Sequence, residues 1–169
     1  PGIQFDFTDV PTADIISLKV RQPENAARMG VIMDYKPVNV GFGISYSLPV
    51  IVALLKAKPG DLVILENPEA HLHPQGQRKV GELIARAAQG GVQVIVETHS
   101  DHILNGIRLA VKQKVLEKEK TKLFYFCTRT VDSTTIHTFE EPKLDDTGRL
   151  DFWPDGFFDE WDNTLLELL

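Results

Sequence analysis

Three short apolar runs, each rich in β-branched or aromatic residues and each preceded by a turn or a polar stretch, predict buried strands. They lie at residues 61–66, 92–98 and 122–128. Between these runs, apolar residues recur at helical spacing over residues 80–88 and again over residues 103–115. This alternation predicts an α/β domain, in which parallel strands are joined by right-handed crossovers and flanked by helices.

Weaker patterns lie on either side of this central unit. Before it, residues 15–21 and 30–36 predict strands that can pair with each other, and residues 44–56 predict a helix. After it, residues 134–139 and the last central strand enclose a polar turn, which predicts a C-terminal β-hairpin at the edge of the sheet. A short helix is predicted over residues 161–169.

Length and composition fit one ordinary folded domain. The chain has 169 residues, of which 43% are apolar and 25% charged, so collagen, coiled coil and wholesale disorder are excluded. Its single cysteine, Cys127, cannot form an internal disulfide, so we expect a buried small residue and a reducing, cytoplasmic location.

The uncharged stretch 37–55 contains glycines, prolines and polar residues, so no membrane span is expected. Because the chain opens at Pro1 and its only methionines are Met29 and Met33, we expect a fragment or a processed product.

The net charge of −6 arises near the C-terminus. Residues 140–169 carry ten acidic and two basic residues, which argues against a generally cationic nucleic-acid binder but leaves local basic patches open. One basic cluster spans residues 108–122, and a solvated helix end is the favoured interpretation over contact with phosphates. Within the acidic tail, residues 142–148 form the expected surface loop, and the aromatic residues over 152–161 are expected to pack on the core.

Polar residues follow the first two central strands. Parallel sheets bind ligands beyond the carboxyl ends of their strands, so these residues are the first candidates for chemistry. They are Glu66, Asn67, Glu69, His71 and His73 after the first strand, and Glu97, Thr98, His99, Ser100, Asp101 and His102 after the second. Some of them can simply cap the next helix, as Ser100 or Asp101 could do. The concentration of carboxylates and imidazoles nevertheless predicts a functional crevice.

Two chemistries fit carboxylates beside imidazoles. One is a metal-dependent hydrolase, in which His71, His73, His99 and His102 would bind zinc or iron. The other is nucleoside triphosphate hydrolysis, in which an acid after a hydrophobic strand holds Mg²⁺ and nearby polar groups orient the attacking water. The run that ends in Glu66 has the form that the second chemistry requires.

Residues 62–74, taken together with residues 94–100, resemble the second half of an ABC-type ATPase head, as found in AAA-family ATPases related to SMC, RecF and overcoming-lysogenization-defect proteins. The resemblance implies a partial P-loop NTPase fold with ATP and Mg²⁺ as ligands. In that family, the position of Glu66 is the Walker B acid that binds magnesium, the position of Asn67 usually holds the catalytic glutamate, and the position of His99 is the switch histidine that contacts the γ-phosphate.

The same resemblance extends upstream. Residues 39–45, which include Gly41, Gly43 and Ser45, are similar to a divergent signature motif. In the family, this motif points a helix N-terminus at the nucleotide of the opposing subunit, where free backbone N–H groups attract phosphate. The resemblance therefore implies that these residues bind nucleotide and that the complete protein forms a homodimer through ATP.

The resemblance also extends downstream. Residues 70–73 overlay the D-loop that touches the partner subunit, with His73 where an aspartate is usual, and we expect His73 to be a further nucleotide-binding residue. Residues 148–160 are similar to the uncharacterised C-terminal extension that one branch of these ATPases carries. We therefore expect residues 1–139 to be the C-terminal half of an ATPase head and residues 140–169 to be an extension packed on it.

Two departures from the family pattern bear on activity. The sequence contains no Gly-x-x-x-x-Gly-Lys-Ser/Thr run, so this chain alone is expected to bind ATP poorly, with the phosphate-binding loop on a further N-terminal segment. Asn67 can orient water but cannot accept its proton, so hydrolysis is expected to be slow or to use Glu69 or Glu97 as general base. A metal-dependent hydrolase and a non-catalytic interaction domain are the rival classes, and action on nucleic acid is left open.

Overall fold

The computed structural model of the protein describes residues 4–10, 15–21, 34–36, 39, 41–131 and 134–168. Parts of four predictions fall outside these ranges. They are residues 30–33 of the predicted strand 30–36, Val40 of the signature-like segment, the hairpin turn at 132–133, and Leu169 of the predicted terminal helix. The chain divides into two compact units, Pro1–Val50 and Ile51–Leu169. Among the described residues, no helix is both long enough and apolar enough to cross a bilayer.

The first unit contains an antiparallel sheet with the strand order β1, β2, β3. Its strands are β1 (Gln4–Val10), β2 (Ile15–Arg21) and β3 (Asp34–Tyr35). Val20 of β2 is fully buried, and Arg21 Nε donates a 3.0 Å hydrogen bond to Asp34 Oδ1, which raises the pKa of Arg21. The predicted pairing of β2 with β3 is confirmed. Sequence analysis missed β1, although the alternation of Phe5 and Phe7 with polar residues is typical of a strand with one solvent-exposed face.

The second unit is built around a parallel pair of strands, as the sequence predicts. Its central elements are β4 (Leu62–Glu66), α2 (Pro74–Gln89), β5 (Gln93–Glu97) and α3 (Asp101–Lys112), and helix α1 (Phe42–Lys56) leads into them. The register pairs Leu62 with Gln93 at one end and Glu66 with Glu97 at the other. Helix α2 supplies the crossover that a parallel pair requires.

The third central run does not join the parallel pair, so that expectation was wrong. It forms β6 (Tyr125–Val131), which follows a 3₁₀ turn at Lys118–Lys120 and pairs in the described chain with β7 (Thr134–Glu140) as an antiparallel hairpin. Strands that follow each other closely pair through a short turn, which favours this local partner. The hairpin is therefore confirmed, but as a separate sheet. Cys127 of β6 is half-buried rather than buried.

Helices α2 and α3 cross with their backbones in near contact. Gly81 of α2 and Gly106 of α3 are both buried and face each other at the crossing. A β-carbon on Gly81 would lie 2.3 Å from the carbonyl oxygen of Ile103, and one on Gly106 would lie 2.3 Å from the carbonyl oxygen of Arg78. Only glycine permits such an approach, so these two positions set the spacing of the helices.

The start of the acidic tail packs on the helices. A buried apolar cluster consists of Ala85, Ala110, Val111 and Leu116, with Ala88, Ile107, Val115 and Leu144 packed against it. Pro142 is fully buried and Gly148 is buried, whereas Lys143 and residues 145–147 are exposed, so the expected surface loop over residues 142–148 is confirmed except at its two ends. Removal of this apolar surface from water holds the segment on the helices. That residues 1–139 form an ATPase head and residues 140–169 form an extension stays a prediction.

Arg108 of α3 anchors the same segment. Its Nε donates a 2.8 Å hydrogen bond to the carbonyl oxygen of Gly148, and its Nη1 donates to Asn105 Oδ1 at 2.9 Å. Its guanidinium carbon lies 5.4 Å from the centre of the Trp153 ring, within range of a cation–π interaction. These contacts use the planar, multidentate guanidinium of arginine, so Arg108 is a structural residue rather than a solvated one.

We expect Arg108→Ala to loosen the tail. The variant leaves the carbonyl oxygen of Gly148 without its donor and removes the contact with Trp153, which together should cost about 1–2 kcal/mol of unfolding free energy. Limited proteolysis should then cut residues 140–159 faster than in the unchanged chain. Lys112→Ala, at the exposed end of the same helix, is the matched control. Equal cleavage rates in the two variants would contradict the anchoring role.

Elsewhere in the basic cluster, lysines pair with acidic residues. Lys118 Nζ donates a 2.8 Å hydrogen bond to Asp146 Oδ2, and this bond is the main cause of the raised pKa of Lys118. Lys120 Nζ lies 3.7 Å from Glu117 Oε2. Such pairs reduce the positive field that a phosphate would meet, which supports the sequence-based preference against phosphate contact.

Aromatic residues of the tail pack against the hairpin. Phe157 is only 9% exposed, and its ring lies 5.2 Å from that of Tyr125 and 5.4 Å from that of Trp153. Core packing is therefore confirmed for Phe157, whereas Phe152 and Trp153 are each 43% exposed. The predicted terminal helix forms as α4 (Glu160–Leu168).

Two sheet faces carry exposed apolar side chains. On the parallel pair, these are Leu62, Ile64 and Ile95, and on the hairpin they include Phe126 and Phe139. Parallel sheets are normally covered on both faces, and contiguous exposed apolar surface commonly marks sites of interaction. The two faces are therefore more apolar than the surface of a monomeric protein usually is.

Candidate functional site

The candidate site lies where β4 and β5 end. Because these strands are parallel and in register, Glu66 and Glu97 lie side by side as partners on neighbouring strands, and both are exposed. His99 follows the end of β5 by two residues. Glu66 and His99 therefore lie at the same edge of the sheet, as the sequence predicts.

Asn67 extends this edge by one residue. Its backbone N–H donates a 3.0 Å hydrogen bond to the carbonyl oxygen of Glu97, and its own carbonyl oxygen accepts one of 3.0 Å from the N–H of Ala70. The backbone of Asn67 is left-handed, with φ of +47°, which asparagine adopts more readily than most residues. This conformation turns the chain sharply at the strand end and leaves Asn67 exposed beside Glu66.

Glu69 connects the loop after β4 with the loop after β5. Its Oε2 accepts a 2.7 Å hydrogen bond from the Thr98 hydroxyl, and its Oε1 accepts a 2.8 Å hydrogen bond from the backbone N–H of His99. Both carboxylate oxygens are therefore engaged by the second loop. Sequence analysis names Glu69 as a candidate base but gives no signal for these bonds, whose partners are 29 and 30 residues away.

Gln77, in the first turn of α2, is a site residue that sequence analysis missed. Its Oε1 accepts a 2.5 Å hydrogen bond from the Ser100 hydroxyl, and its Nε2 donates one of 2.9 Å to the carbonyl oxygen of Leu72. Ser100 also caps α3, because its Oγ accepts from the N–H of Ile103 at 3.2 Å, which confirms one predicted cap. Gln77 belongs to no recognisable motif, and only the packing of α2 on α3 reveals its contact.

The histidines have separate environments. The side chain of His99 is 82% exposed, and its Nε2 lies 3.1 Å from Glu97 Oε1. His73 caps α2, since its Nδ1 accepts a 3.3 Å hydrogen bond from the N–H of Gln75. Within the described ranges, no three His, Cys, Asp or Glu side chains are grouped so that they could hold a metal ion. The metal-dependent hydrolase therefore gains no support from the geometry.

Gly41, Gly43 and Ser45 lie at the start of α1, in the first unit. Gly41 directly precedes the helix and has φ of +111°, in the left-handed region that favours glycine. Ser45 Oγ is shielded from solvent and has no hydrogen-bond partner in the part of the chain that the structure describes. A helix start also presents N–H groups without intrahelical partners, which attract anions.

The residues at the sheet edge suit Mg²⁺ that is bound together with a nucleotide. Magnesium prefers oxygen ligands and is usually held by one or two carboxylates and by substrate phosphates. Glu66 and Glu97 offer exposed carboxylates at adjacent strand ends. This donor set fits the cofactor that the resemblance implies.

Two protein families match separate parts of this chain. Residues 35–105 match the AAA_21 family, described as an AAA domain and as a candidate AbiEii toxin of a type IV TA system. Residues 116–168 match the family described as a protein of unknown function, DUF3696. Together, the two matches support the C-terminal part of an ABC/AAA-type ATPase. The second match includes residues 148–160, which resemble the C-terminal extension described above. The first match includes the ends of β4 and β5 and the residues that follow them.

A similar fold is found among solved structures. A structure from work titled "Structural biochemistry of ATP-driven dimerization and DNA stimulated activation of SMC ATPases" matches with a TM-score of 0.50 and 15% identity. The match covers 82% of this chain and 72% of that one, and it confirms the predicted α/β fold. No curated protein matches the chain.

Proposed function

We propose that this chain supplies the Walker B, D-loop and switch-histidine parts of an ATP-hydrolysing protein. Glu66 would hold Mg²⁺ through the nucleotide, Asn67 would orient the attacking water, and His99 would contact the γ-phosphate. The proposal is carried by the parallel, in-register pairing of β4 with β5, which sets Glu66 beside Glu97 with His99 just beyond them.

The chemistry of phosphoryl transfer fits this set of residues. Such transfer depends mainly on positioning and on the stabilisation of negative charge, and Mg²⁺, when bound, supplies much of that stabilisation. The 82% exposed side chain of His99 is accessible to a ligand. Asn67 carries an amide, which can donate to and accept from water but cannot remove its proton. Slow turnover is therefore expected, and it suits a conformational switch better than a pump.

A homodimer forms the second part of the proposal. Gly41, Gly43 and Ser45 of one subunit would close over the nucleotide of the other, and His73 would face the partner. The start of α1 supports this assignment, because the N–H groups of a first helical turn attract an anion. The matched SMC ATPase shows ATP-driven dimerization and DNA-stimulated activation. Dimerisation and action on nucleic acid are proposed here by analogy with it.

The phosphate-binding loop forms the third part. This sequence lacks the motif that cradles the β- and γ-phosphates, so a further segment of the same protein would supply it. The chain alone is expected to be inactive. A cytoplasmic location remains the expectation for a chain with a single cysteine.

Binding of a non-hydrolysable ATP analogue to the complete protein, with and without Mg²⁺, tests the proposal. Glu66→Gln should weaken Mg²⁺-dependent binding by about tenfold or more, because it removes a charged ligand. Asp61→Asn is the matched control, since Asp61 lies just before the opposite end of β4 and accepts from the N–H of Lys58 at 2.8 Å. It should leave binding unchanged.

Three results would count against the proposal. If the complete protein shows no Mg²⁺-dependent binding, a non-catalytic interaction domain becomes the better interpretation. If Glu66→Gln binds as tightly as the unchanged protein, Glu66 is not the magnesium ligand. Stoichiometric zinc or iron in the purified protein would favour the metal-dependent hydrolase.

A further inference from the structure

We infer that Glu69 is a positioning residue, which fixes the backbone of His99 instead of accepting a proton from water. The inference rests on the proposed function, because it concerns the histidine assigned there to the γ-phosphate. It changes the role of Glu69 from the candidate general base that sequence analysis suggests to a link between two loops.

The link consists of a continuous set of hydrogen bonds. Glu69 accepts from the hydroxyl of Thr98 and from the N–H of His99. The same Thr98 hydroxyl oxygen accepts from the N–H of Ser100 at 3.1 Å, and the Ser100 hydroxyl donates to Gln77 Oε1 at 2.5 Å. Gln77 then donates back to the carbonyl oxygen of Leu72, in the loop that contains Glu69. The bonds thus close a ring between the two loops.

This ring restrains the residues on both sides of His99. Ser100 is buried and Thr98 is half-buried, whereas the His99 side chain is 82% exposed. Hydrogen bonds in such shielded positions are stronger than those in water, and a network is often worth more than the sum of its parts. The backbone of His99 is therefore held while its imidazole stays accessible, an arrangement that suits contact with a ligand.

The contacts of Glu69 argue against a role as general base. A base must lie within hydrogen-bond reach of the water whose proton it removes. Glu69 directs one oxygen to the Thr98 hydroxyl and the other to the His99 backbone, so both are already engaged in charge-assisted bonds. Glu97, by contrast, is exposed at the sheet edge beside Glu66.

Amide hydrogen exchange of His99 in this chain tests the link directly and requires no ATP. Glu69→Ala should raise the exchange rate of the His99 amide by about tenfold or more, because a charge-assisted bond is lost. Glu69→Gln should keep a rate close to that of the unchanged chain, since its amide oxygen can still accept from His99. Glu119→Ala, an exposed glutamate in the 3₁₀ turn, is the control and should change nothing.

A double-mutant cycle tests the network. Thr98→Val removes the hydroxyl but keeps the shape of the side chain, and it should also raise the exchange rate of His99. Because the two residues act together, the combined variant with Glu69→Ala should exceed the single variants by less than the product of their effects. Unchanged exchange in Glu69→Ala, or full additivity in the cycle, would overturn the link.

Steady-state ATP hydrolysis by the complete protein separates positioning from proton transfer. If Glu69 positions His99, Glu69→Ala lowers kcat while Glu69→Gln retains most of it. If Glu69 is the base, both variants lose activity equally, by about 100-fold, and the inference is overturned. A complete protein that hydrolyses no ATP would refute the proposed function, whereas the exchange experiment would still decide whether Glu69 holds His99.

Discussion

Gly81→Ala is expected to lower the free energy of unfolding of this chain by about 3 kcal/mol. Alanine is normally the better helix former, by about 1 kcal/mol. Here the added β-carbon would lie 2.3 Å from the carbonyl oxygen of Ile103 and 3.1 Å from the α-carbon of Gly106. Since both neighbours are backbone atoms, relief of the clash requires α2 and α3 to move apart. Urea denaturation followed by circular dichroism measures the change.

Gly76→Ala provides the matched control within the same helix. Its β-carbon would meet only the side chain of Leu72, at 3.6 Å, which is an ordinary contact. This variant should therefore gain about 0.5–1 kcal/mol from helix propensity and from a less flexible unfolded chain. Similar stabilities for the Gly81 and Gly76 variants would show that the helices do not depend on the close crossing.

Asn67→Glu is expected to raise the rate of ATP hydrolysis by the complete protein by about 100-fold or more. The substitution places a carboxylate where the proposed mechanism has only an amide, so a group that accepts the proton of the attacking water becomes available. A stability cost of about 1 kcal/mol should accompany the gain, because glutamate adopts the left-handed backbone of residue 67 less readily than asparagine. Single-turnover hydrolysis of ATP measures the rate.

Asn67→Gln separates the two effects of that substitution. Glutamine has the length of glutamate and the same backbone cost, but it cannot accept a proton. It should therefore lose stability without any gain in rate. If Asn67→Glu hydrolyses ATP no faster than Asn67→Gln, the assignment of this position to the attacking water is incorrect.

The central unit could be predicted from sequence because its signals are local. The apolar runs that became β4 and β5 are continuous, and the faces of α2 and α3 repeat at helical spacing, so each element is specified by its own residues. The position of the candidate site followed from topology, because neighbouring parallel strands end at one edge. This topology alone predicts that Glu66 and His99 lie at the same end of the strands, and the register of β4 with β5 agrees.

Features that depend on distant partners could not be predicted. The bond from His99 to Glu69 and the bond from Ser100 to Gln77 join residues more than 20 positions apart, and no repeating pattern marks either pair. The burial of Pro142 depends in the same way on the surface that the helices present. The pairing of β6 with β7 was predicted from the sequence, but the separation of β6 from the parallel pair was not, because the composition of a single strand does not decide between competing pairings.

The buried cluster around Ala85 and Val111 has a consequence for how this chain can be divided. Ala85 belongs to the segment that matches one family, whereas Leu116 and Leu144 belong to the segment that matches the other, yet all three contribute to the same core. A cut after α3 would expose the apolar surface of both pieces to water. The two matched segments should therefore unfold in a single calorimetric transition. When parts are exchanged between homologous proteins, the two segments should be moved together to give a stable chain.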